Sequence, residues 1–468
     1  MKKNLTKMVA VFVVVVMLAT VIAGCSNQAS DKDEQGRTVI SIGNWPDKEG
    51  KSLDNAIARK EAFEKANPDV VVETDKWVFD LKTFYAKAAG NQLPNYFSFH
   101  ATEISQVIDA GYSADVTDAL EEYGYLDKWN PDVKELISKD GRIYALPTEV
   151  YVLGIAFNTE LMQAAGLLEE DGTPKQPKDW YELVDFAVKI KEKTGKPGFV
   201  FPTADNVGGW IFNPIAWSFG VDFIKQNEDK SWTATFDTPE AVEALQFIKD
   251  LKWKYDVLPA NTLINYSEYY KIYATGNAGM LISAGDFPKR VTQYGMLPEQ
   301  MGIMGIPAGP KRHVTLLGGT MYAVSADATK DQIDAAIRYH GTAHHYALDD
   351  VVKNTVERNI KRQLEENQLV GIKSMSVWNS SAETLAYSNE MIDKNANANP
   401  NHVKLYNDFV VDCPAEIQPE EPVCAQELYA ILDGCIQEVL VNKDADCASL
   451  LKKANADFQS NYLDNIAY

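Results

Sequence analysis

Basic residues are few in this chain. It has 45 lysines and arginines against 66 aspartates and glutamates in 468 residues, a formal net charge of −21. Because like charges repel, electrostatic attraction to nucleic acid or to an anionic membrane surface is not expected. Solubility is the simpler reason for the acidity. We therefore predict that the protein has no nucleic-acid partner.

The motifs of several common enzyme classes are also missing. The chain has no Gly-x-Ser-x-Gly nucleophile turn, no His-Glu-x-x-His zinc helix and no phosphate-binding loop. The paired glycines Gly318 and Gly319 lack the following Lys-Ser/Thr that a phosphate loop needs. We predict a protein that is not an enzyme and that uses no cofactor or metal ion.

Long apolar runs are confined to the beginning of the chain. Residues 8–22 are apolar and follow a basic start, but they are too few and too near the end for a usual membrane-spanning helix. The next residues, Ile-Ala-Gly-Cys ending at Cys25, resemble the bacterial lipobox, which implies cleavage before Cys25 and lipid on its thiol. An ordinary secretory signal is the alternative. We predict a signal peptide over 1–24, a flexible polar tether over 25–37 and a lipid anchor on the extracellular side of the cell membrane.

Cysteine is scarce as well, and four of the five cysteines lie near the end of the chain. They are Cys413, Cys424, Cys435 and Cys447. An even number in an exported protein predicts two disulfides, and of the three pairings the short loops favour Cys413–Cys424 with Cys435–Cys447. A zinc site is the alternative, but the spacing differs from that of structural zinc and no histidine lies among these cysteines.

The apolar stretch over residues 144–158 predicts a strand that passes between two lobes. Pro147 cannot donate to a sheet ladder, so the strand is expected to change partner there. Glu149 and Tyr151 share one face because side chains alternate along a strand. An unpaired buried carboxylate is costly, so an acid and an aromatic on one face of an apolar strand point to a crossing between two lobes. The alternative is a buried strand in which backbone donors satisfy Glu149.

Strands and helices alternate from Arg37 onward, a pattern that predicts a parallel sheet covered by helices on both faces. In such a sheet, ligands bind beyond the carboxyl ends of the strands. Large aromatic and polar residues stand at these ends, although each ring taken singly could be core. The candidate ligand-binding residues here are Asn44, Trp45, Trp77, Phe99 and His100.

Three short series, at residues 63–70, 93–97 and 110–116, resemble the extracellular solute-binding proteins of family 1. These are the sugar-binding lipoproteins of ABC importers, to which maltose-binding protein is similar. Asn95 departs from the family, which usually has Asp there. The resemblance implies an α/β, two-lobed periplasmic-binding-protein-like fold of type II. Each lobe is then expected to be a mostly parallel sheet flanked by helices, and three crossings join the lobes.

The resemblance also implies where the lobes and crossings lie. Residues 140–158, 276–287 and 317–325 correspond to the three crossings. The N-terminal lobe is expected to comprise residues 38–148 and 286–320. The C-terminal lobe is expected to comprise 149–285 and 321–468, with a mainly helical end.

Further ligand-binding candidates come from the crossings and the second lobe. In the resembled family, the segment over 208–217 supplies stacking aromatics, and Trp210 is preferred to Trp217. The second crossing implies Asp286 and Phe287, for which a helix cap and a core ring are the alternatives. The candidates added in this way are Glu149, Tyr151, Trp210, Asn213, Asp286 and Phe287, with Trp378 as a weaker one.

These residue types suit a sugar, whose C–H faces pack on aromatic rings and whose hydroxyls pair with acids, amides and histidine. We hypothesise a monomer, held on the membrane by lipid on Cys25, that captures an oligosaccharide by hinged closure. It would then deliver the sugar to ABC permease subunits. A peptide or polyamine binder is one alternative. A glycoside hydrolase using Glu149 and Asp286 is another, and it needs two carboxylates about 5–10 Å apart.

Overall fold

The computed structural model describes residues 31–344, 348–379 and 381–466. The predicted signal peptide, Cys25 and the first part of the tether lie outside these residues. The end of the predicted tether packs on the first lobe, because Lys32 Nζ lies 2.8 Å from Thr38 Oγ1 and 2.6 Å from Asp331 Oδ2. No described helix is both long and apolar enough to cross a membrane.

The strands are short, and many of them are rich in valine and isoleucine, as expected of buried strands. Within the described residues they are β1 (Thr38–Ile42), β2 (Val70–Thr74), β3 (Tyr96–His100), β4 (Ser138–Lys139), β5 (Arg142–Ile143), β6 (Leu146–Val152), β7 (Gly154–Asn158), β8 (Ile224–Gln226), β9 (Trp232–Ala234), β10 (Met280–Ser283), β11 (Met301–Gly305), β12 (Val314–Val324) and β13 (Glu416–Pro419).

The helices pack around the sheets and dominate the second half of the chain. They are α1 (Lys51–Ala66), α2 (Leu81–Ala89), α3 (Ile104–Asp109), α4 (Thr117–Glu122), α5 (Pro131–Leu136), α6 (Thr159–Ala164), α7 (Trp180–Thr194), α8 (Val207–Phe219), α9 (Pro239–Trp253), α10 (Tyr266–Ala274), α11 (Phe287–Val291), α12 (Lys330–His344), α13 (Asp350–Glu365), α14 (Glu383–Lys394), α15 (Asn401–Val411), α16 (Ala425–Val441) and α17 (Cys447–Asn461).

Two main sheets define the two lobes. The first-lobe sheet has the order β13-β12-β3-β1-β2, and β6 also pairs with β12. Strand β1 runs parallel to β2 and β3, whereas β12 runs antiparallel to β3 and β6. The second-lobe sheet, β10-β7-β11, is antiparallel rather than mostly parallel as expected. The predicted two-lobed α/β architecture is therefore present, and it differs from the prediction in the antiparallel direction of the second-lobe sheet.

The chain first changes sheet at Leu153, between β6 and β7, and not at Pro147 as predicted. Strand β6 stays paired with β12 through Val152. The ladder instead shifts register between Thr320 and Met321, where Pro147 pairs. An irregularity at this point accommodates a residue that has no N–H to donate.

The lobe boundaries also differ from those expected. Strand β11 pairs with β7, so the residues after Asp286 return to the second lobe. Helix α12 packs on the first lobe, where the ring of Tyr339 lies 5.2 Å from that of Phe63 in α1. These pairings join residues far apart in sequence, and no local pattern indicates them.

Tyr406 ties two crossings together from α15. Its buried hydroxyl donates to the carbonyl of Val152 at 2.8 Å and accepts the N–H of Gly285 at 3.2 Å. Its ring also packs against Gly154, where an added Cβ would lie 2.8 Å from it. Tyr406 therefore fixes the first crossing relative to the second.

Removing this hydroxyl should weaken the fold. We expect Tyr406→Phe to lower the free energy of unfolding by about 1–3 kcal/mol, because two buried backbone groups lose a partner. Tyr387→Phe is the matched control, since the Tyr387 hydroxyl bonds Glu357 at the surface. Urea unfolding midpoints measure both variants, and equal midpoints would contradict the role given to Tyr406.

The two predicted disulfides are not formed. Cys413, Cys424, Cys435 and Cys447 are all free thiols in the structure. Cys413 and Cys424 lie before and after the extended strand β13, which separates them. Burial raises the pKa of Cys413 to about 11 and those of Cys424 and Cys435 to about 12. The short-loop argument therefore overlooked the strand between the first two cysteines.

Candidate functional site

One face of the first-lobe sheet carries a row of polar and aromatic side chains. The antiparallel register sets Thr320 opposite both His100 and Glu149, and residues directly opposed in this way share a face. Alternation along the strands then extends the row in both directions. We call Ser98, His100, Glu149, Tyr151, Thr320 and Tyr322 the sheet-face row.

Asn44 extends this row at the end of β1. Its backbone has a φ of 56°, a conformation that asparagine adopts more readily than most residues. The side-chain amide nitrogen donates to Ser98 Oγ at 2.6 Å. The amide oxygen is buried and has no hydrogen-bond partner among the described residues. Asn44 can therefore accept a hydrogen bond from a ligand hydroxyl.

Tyr151 occupies the end of the row nearest the second lobe. It lies over Gly318, where an added Cβ would be 2.3 Å from the ring carbon Cζ, so this position needs glycine. The Tyr151 ring meets the Trp210 ring at 6.5 Å between centroids and an angle of 81°. Both rings are half-buried. The two lobes thus meet through an edge-to-face aromatic pair.

Trp210 lies near the beginning of α8, where this helix packs closely on α16. Gly209 lies against α16, and an added Cβ would be 2.3 Å from the carbonyl oxygen of Tyr429. Asp433 accepts the N–H groups of Gly209 at 2.7 Å and Asn206 at 2.8 Å. The glycine beside Trp210 therefore allows close packing of α8 on α16.

Two carboxyl groups with raised pKa values lie near this aromatic pair. Burial raises the pKa of Glu420 to about 8, with a further rise from Glu103, although hydrogen bonds from Tyr429 and Trp210 oppose it. The Tyr429 hydroxyl donates to Glu420 at 3.0 Å. Burial likewise raises the pKa of Glu103, whose carboxylate accepts the N–H of His100 at 3.0 Å. Neither acid was predicted from the sequence.

An ion pair forms another side of the site. Arg290 lies 3.0 Å from Asp286, and its guanidinium stands 5.1 Å from the centre of the Tyr266 ring. Burial raises the pKa of Tyr151, and nearby Glu420, Tyr266 and Asp286 raise it further. The charge of Asp286 therefore acts on Tyr151.

Several of the predicted ligand-binding residues do not line this site. Phe99 and Phe287 are core residues, 2% and 0% exposed, and Trp378 is 8% exposed and forms a bridge with Trp129. Trp77 packs on Phe97 and donates to Thr83, and its ring is half-buried at the edge of the first-lobe core. The core alternative thus describes Phe99, Phe287 and Trp378.

Asn213 is the remaining candidate from the second lobe. It is fully buried in α8, and neither amide atom has a hydrogen-bond partner among the described residues. The Asn213 amide lies near Tyr429, the residue that donates to Glu420, because it moderates the rise in pKa that burial gives Tyr429. Asn213 is therefore buried within the second lobe and does not line the site.

Cavities lie beside and between the lobes. One of about 440 Å³ lies between them, lined by His100 and Glu103 on one side and by Gln426 and Glu427 on the other. A second, of about 290 Å³, opens at Asn44 and Tyr322. A larger one of about 600 Å³ lies by Gly305 and Phe409, away from the row. The described residues contain no cluster suited to a metal ion.

Residues 45–339, more than half of the chain, match the family of bacterial extracellular solute-binding proteins. The chain belongs to this family. The maltose-bound MalE3 of T. maritima has a similar structure, with a TM-score of 0.63 and 20% identity over 90% of this chain and 99% of that chain. This similarity confirms the predicted two-lobed α/β fold.

Two curated relatives of this solute-binding protein are arabinooligosaccharide-binding proteins. That of Halalkalibacterium halodurans is 30% identical over 159 residues, 33% of this chain and 33% of the relative. That of Bacillus subtilis is 24% identical over 312 residues, 64% of this chain and 67% of the relative. The matches thus span about a third and two thirds of the lengths of these relatives.

Proposed function

We propose that this family member is the substrate-binding protein of an ABC importer and captures an oligosaccharide between its lobes. The observation that carries the proposal is the meeting of the sheet-face row with Trp210 of the second lobe. A ligand held there contacts both lobes. Such a ligand favours the closed state, because it gains contacts that the open state lacks.

The chemistry of the opening suits a neutral sugar. The rings of Tyr151 and Trp210 offer flat apolar faces for the C–H groups of a sugar ring. The amide oxygen of Asn44 and the carboxyl groups of Glu149 and Glu420 offer partners for hydroxyls. The relatives that bind arabinooligosaccharides support an oligosaccharide rather than a single sugar.

The remaining parts of the proposal concern location and partners. Lipid on Cys25 would hold the monomer at the outer face of the cell membrane, as an anchor rather than a span. Closure of the lobes would then present the loaded protein to the permease subunits. No step of this mechanism makes or breaks a covalent bond in the sugar.

A thermal-shift screen of residues 26–468 tests the proposal. We expect arabinotriose or another linear oligosaccharide to raise the melting temperature, because a ligand of the folded state stabilises it by mass action. Peptides and polyamines belong in the same screen, since the exposed acid Glu149 would favour a cationic ligand. A rise with a polyamine or peptide and with no sugar would refute the carbohydrate assignment.

A further inference from the structure

The cavity of about 290 Å³ in the first lobe is continuous with the sheet-face row. It lies between the carboxyl end of β1 and helix α1, and Asn44 and Tyr322 line it. Asn44 bonds Ser98 of the row, and Tyr322 belongs to the row. A sugar chain laid along the row would therefore reach this cavity at one end.

Three tyrosines close the inner side of the cavity. The rings of Tyr96 and Tyr322 stack at 4.5 Å with an angle of 10°, and Tyr339 meets Tyr96 edge-on at 5.8 Å. Tyr96 and Tyr339 are buried, at 1% and 3% exposure. The Tyr96 hydroxyl lies 2.6 Å from Nδ1 of His340, which fixes its position. A chain of sugars that enters the cavity is therefore stopped by this wall.

The polar groups of the cavity suit one sugar unit. The amide oxygen of Asn44 lacks a partner among the described residues and can accept from a hydroxyl. Arg59 also lines the cavity, and its guanidinium lies near enough to Tyr339 and Tyr322 to lower the pKa values that burial raises. Its N–H groups can donate to sugar oxygens. The volume is at the low end for small-molecule sites, which suits a single ring.

We propose that this cavity, the end pocket, binds the terminal unit of a linear oligosaccharide, so that the protein recognises a chain end. The proposal rests on the proposed function, because the rest of the sugar would lie on the sheet-face row. The end pocket adds a requirement to that function, because one end of the oligosaccharide must be free to enter it. A groove open at both ends would accept either end or an internal segment equally well.

Capped trisaccharides test the end pocket on the full chain, purified from membranes in detergent. Three forms of arabinotriose or maltotriose are compared by calorimetry: unmodified, with a bulky group at the reducing end, and with the same group at the other end. We expect one cap to weaken binding at least 30-fold and the other to change it less than 3-fold. Equal effects of the two caps would overturn the end pocket while leaving sugar binding in place.

A substitution gives a second, independent measurement. Arg59→Ala should weaken binding of the unmodified trisaccharide about 10-fold and reduce the difference between the two caps. Arg59 is exposed on α1, so the fold is expected to survive. Arg358→Ala, an exposed arginine on α13, is the control. Unchanged affinity in Arg59→Ala would overturn the end pocket, whereas no binding of any trisaccharide to the unaltered protein would refute the proposed function itself.

Discussion

Replacing both Tyr151 and Trp210 by alanine should remove most of the affinity for sugar while the protein stays folded. Each ring is expected to contribute about 1–3 kcal/mol through contact with the sugar, so the dissociation constant should rise at least about 30-fold. Both rings are half-buried at the junction of the lobes, so neither is a central core residue. Calorimetry with the sugar found in the thermal-shift screen measures the effect.

A control tryptophan separates loss of binding from loss of stability. Trp232 in β9 is also half-buried but lies in a hairpin on the second lobe, where its carbonyl accepts from Gln459. Trp232→Ala should leave sugar affinity unchanged. If Tyr151→Ala and Trp210→Ala lower the melting temperature but not the affinity, the two rings serve only to join the lobes.

Local signals in the sequence mark the ends of α7. Asp179, a residue type that caps helices, precedes its apolar stripe, and Gly195, a residue type that ends helices, follows it; the structure shows both roles. The Asp179 side chain accepts the N–H of Glu182 at 2.8 Å, and Gly195 has a φ of 72°. Such signals depend on residues three or four positions apart, so the sequence displays them directly.

The parts of the site that were missed depend on contacts between distant segments. Glu420 follows β13 in an acidic run that resembles a solvated surface, and its burial arises only when α16 packs beside it. Tyr322 belongs to the recognised third crossing, but its face is set by the register with β3. Phe99 was predicted as a ligand contact because it precedes a strand end, yet alternation turns it into the core.

Glu420→Gln should make the protein more stable at pH 8 and less sensitive to pH. Burial raises the pKa of Glu420 from 4.5 to about 8, so the folded state keeps its proton after the unfolded state has lost it. Stability from this group is complete below pH 4.5, falls as pH rises, and is fully lost above about pH 8. Glutamine is neutral at every pH and can still accept a hydrogen bond from Tyr429.

The size of this effect follows from the shift in pKa. The whole shift corresponds to about 5 kcal/mol, and partial contact of Glu420 with solvent reduces this to about 2–3 kcal/mol. We expect the melting temperature of Glu420→Gln to exceed that of the unaltered protein by about 2–5 °C at pH 8 and to match it near pH 4.5. Burial also raises the pKa of Glu421, to about 7. The stability of Glu420→Gln should therefore still fall with rising pH, but less steeply than that of the unaltered protein.

The exposed Glu228 provides the matched control, and Glu228→Gln should not alter the pH profile. Because Glu420 lies beside Trp210, the same variant also separates stability from binding. A more stable protein with weaker sugar affinity would show that the carboxyl group is kept at the site for the ligand, at a cost to the fold. A pH profile that glutamine leaves unchanged would mean that Glu420 is ionised and solvated in the folded protein.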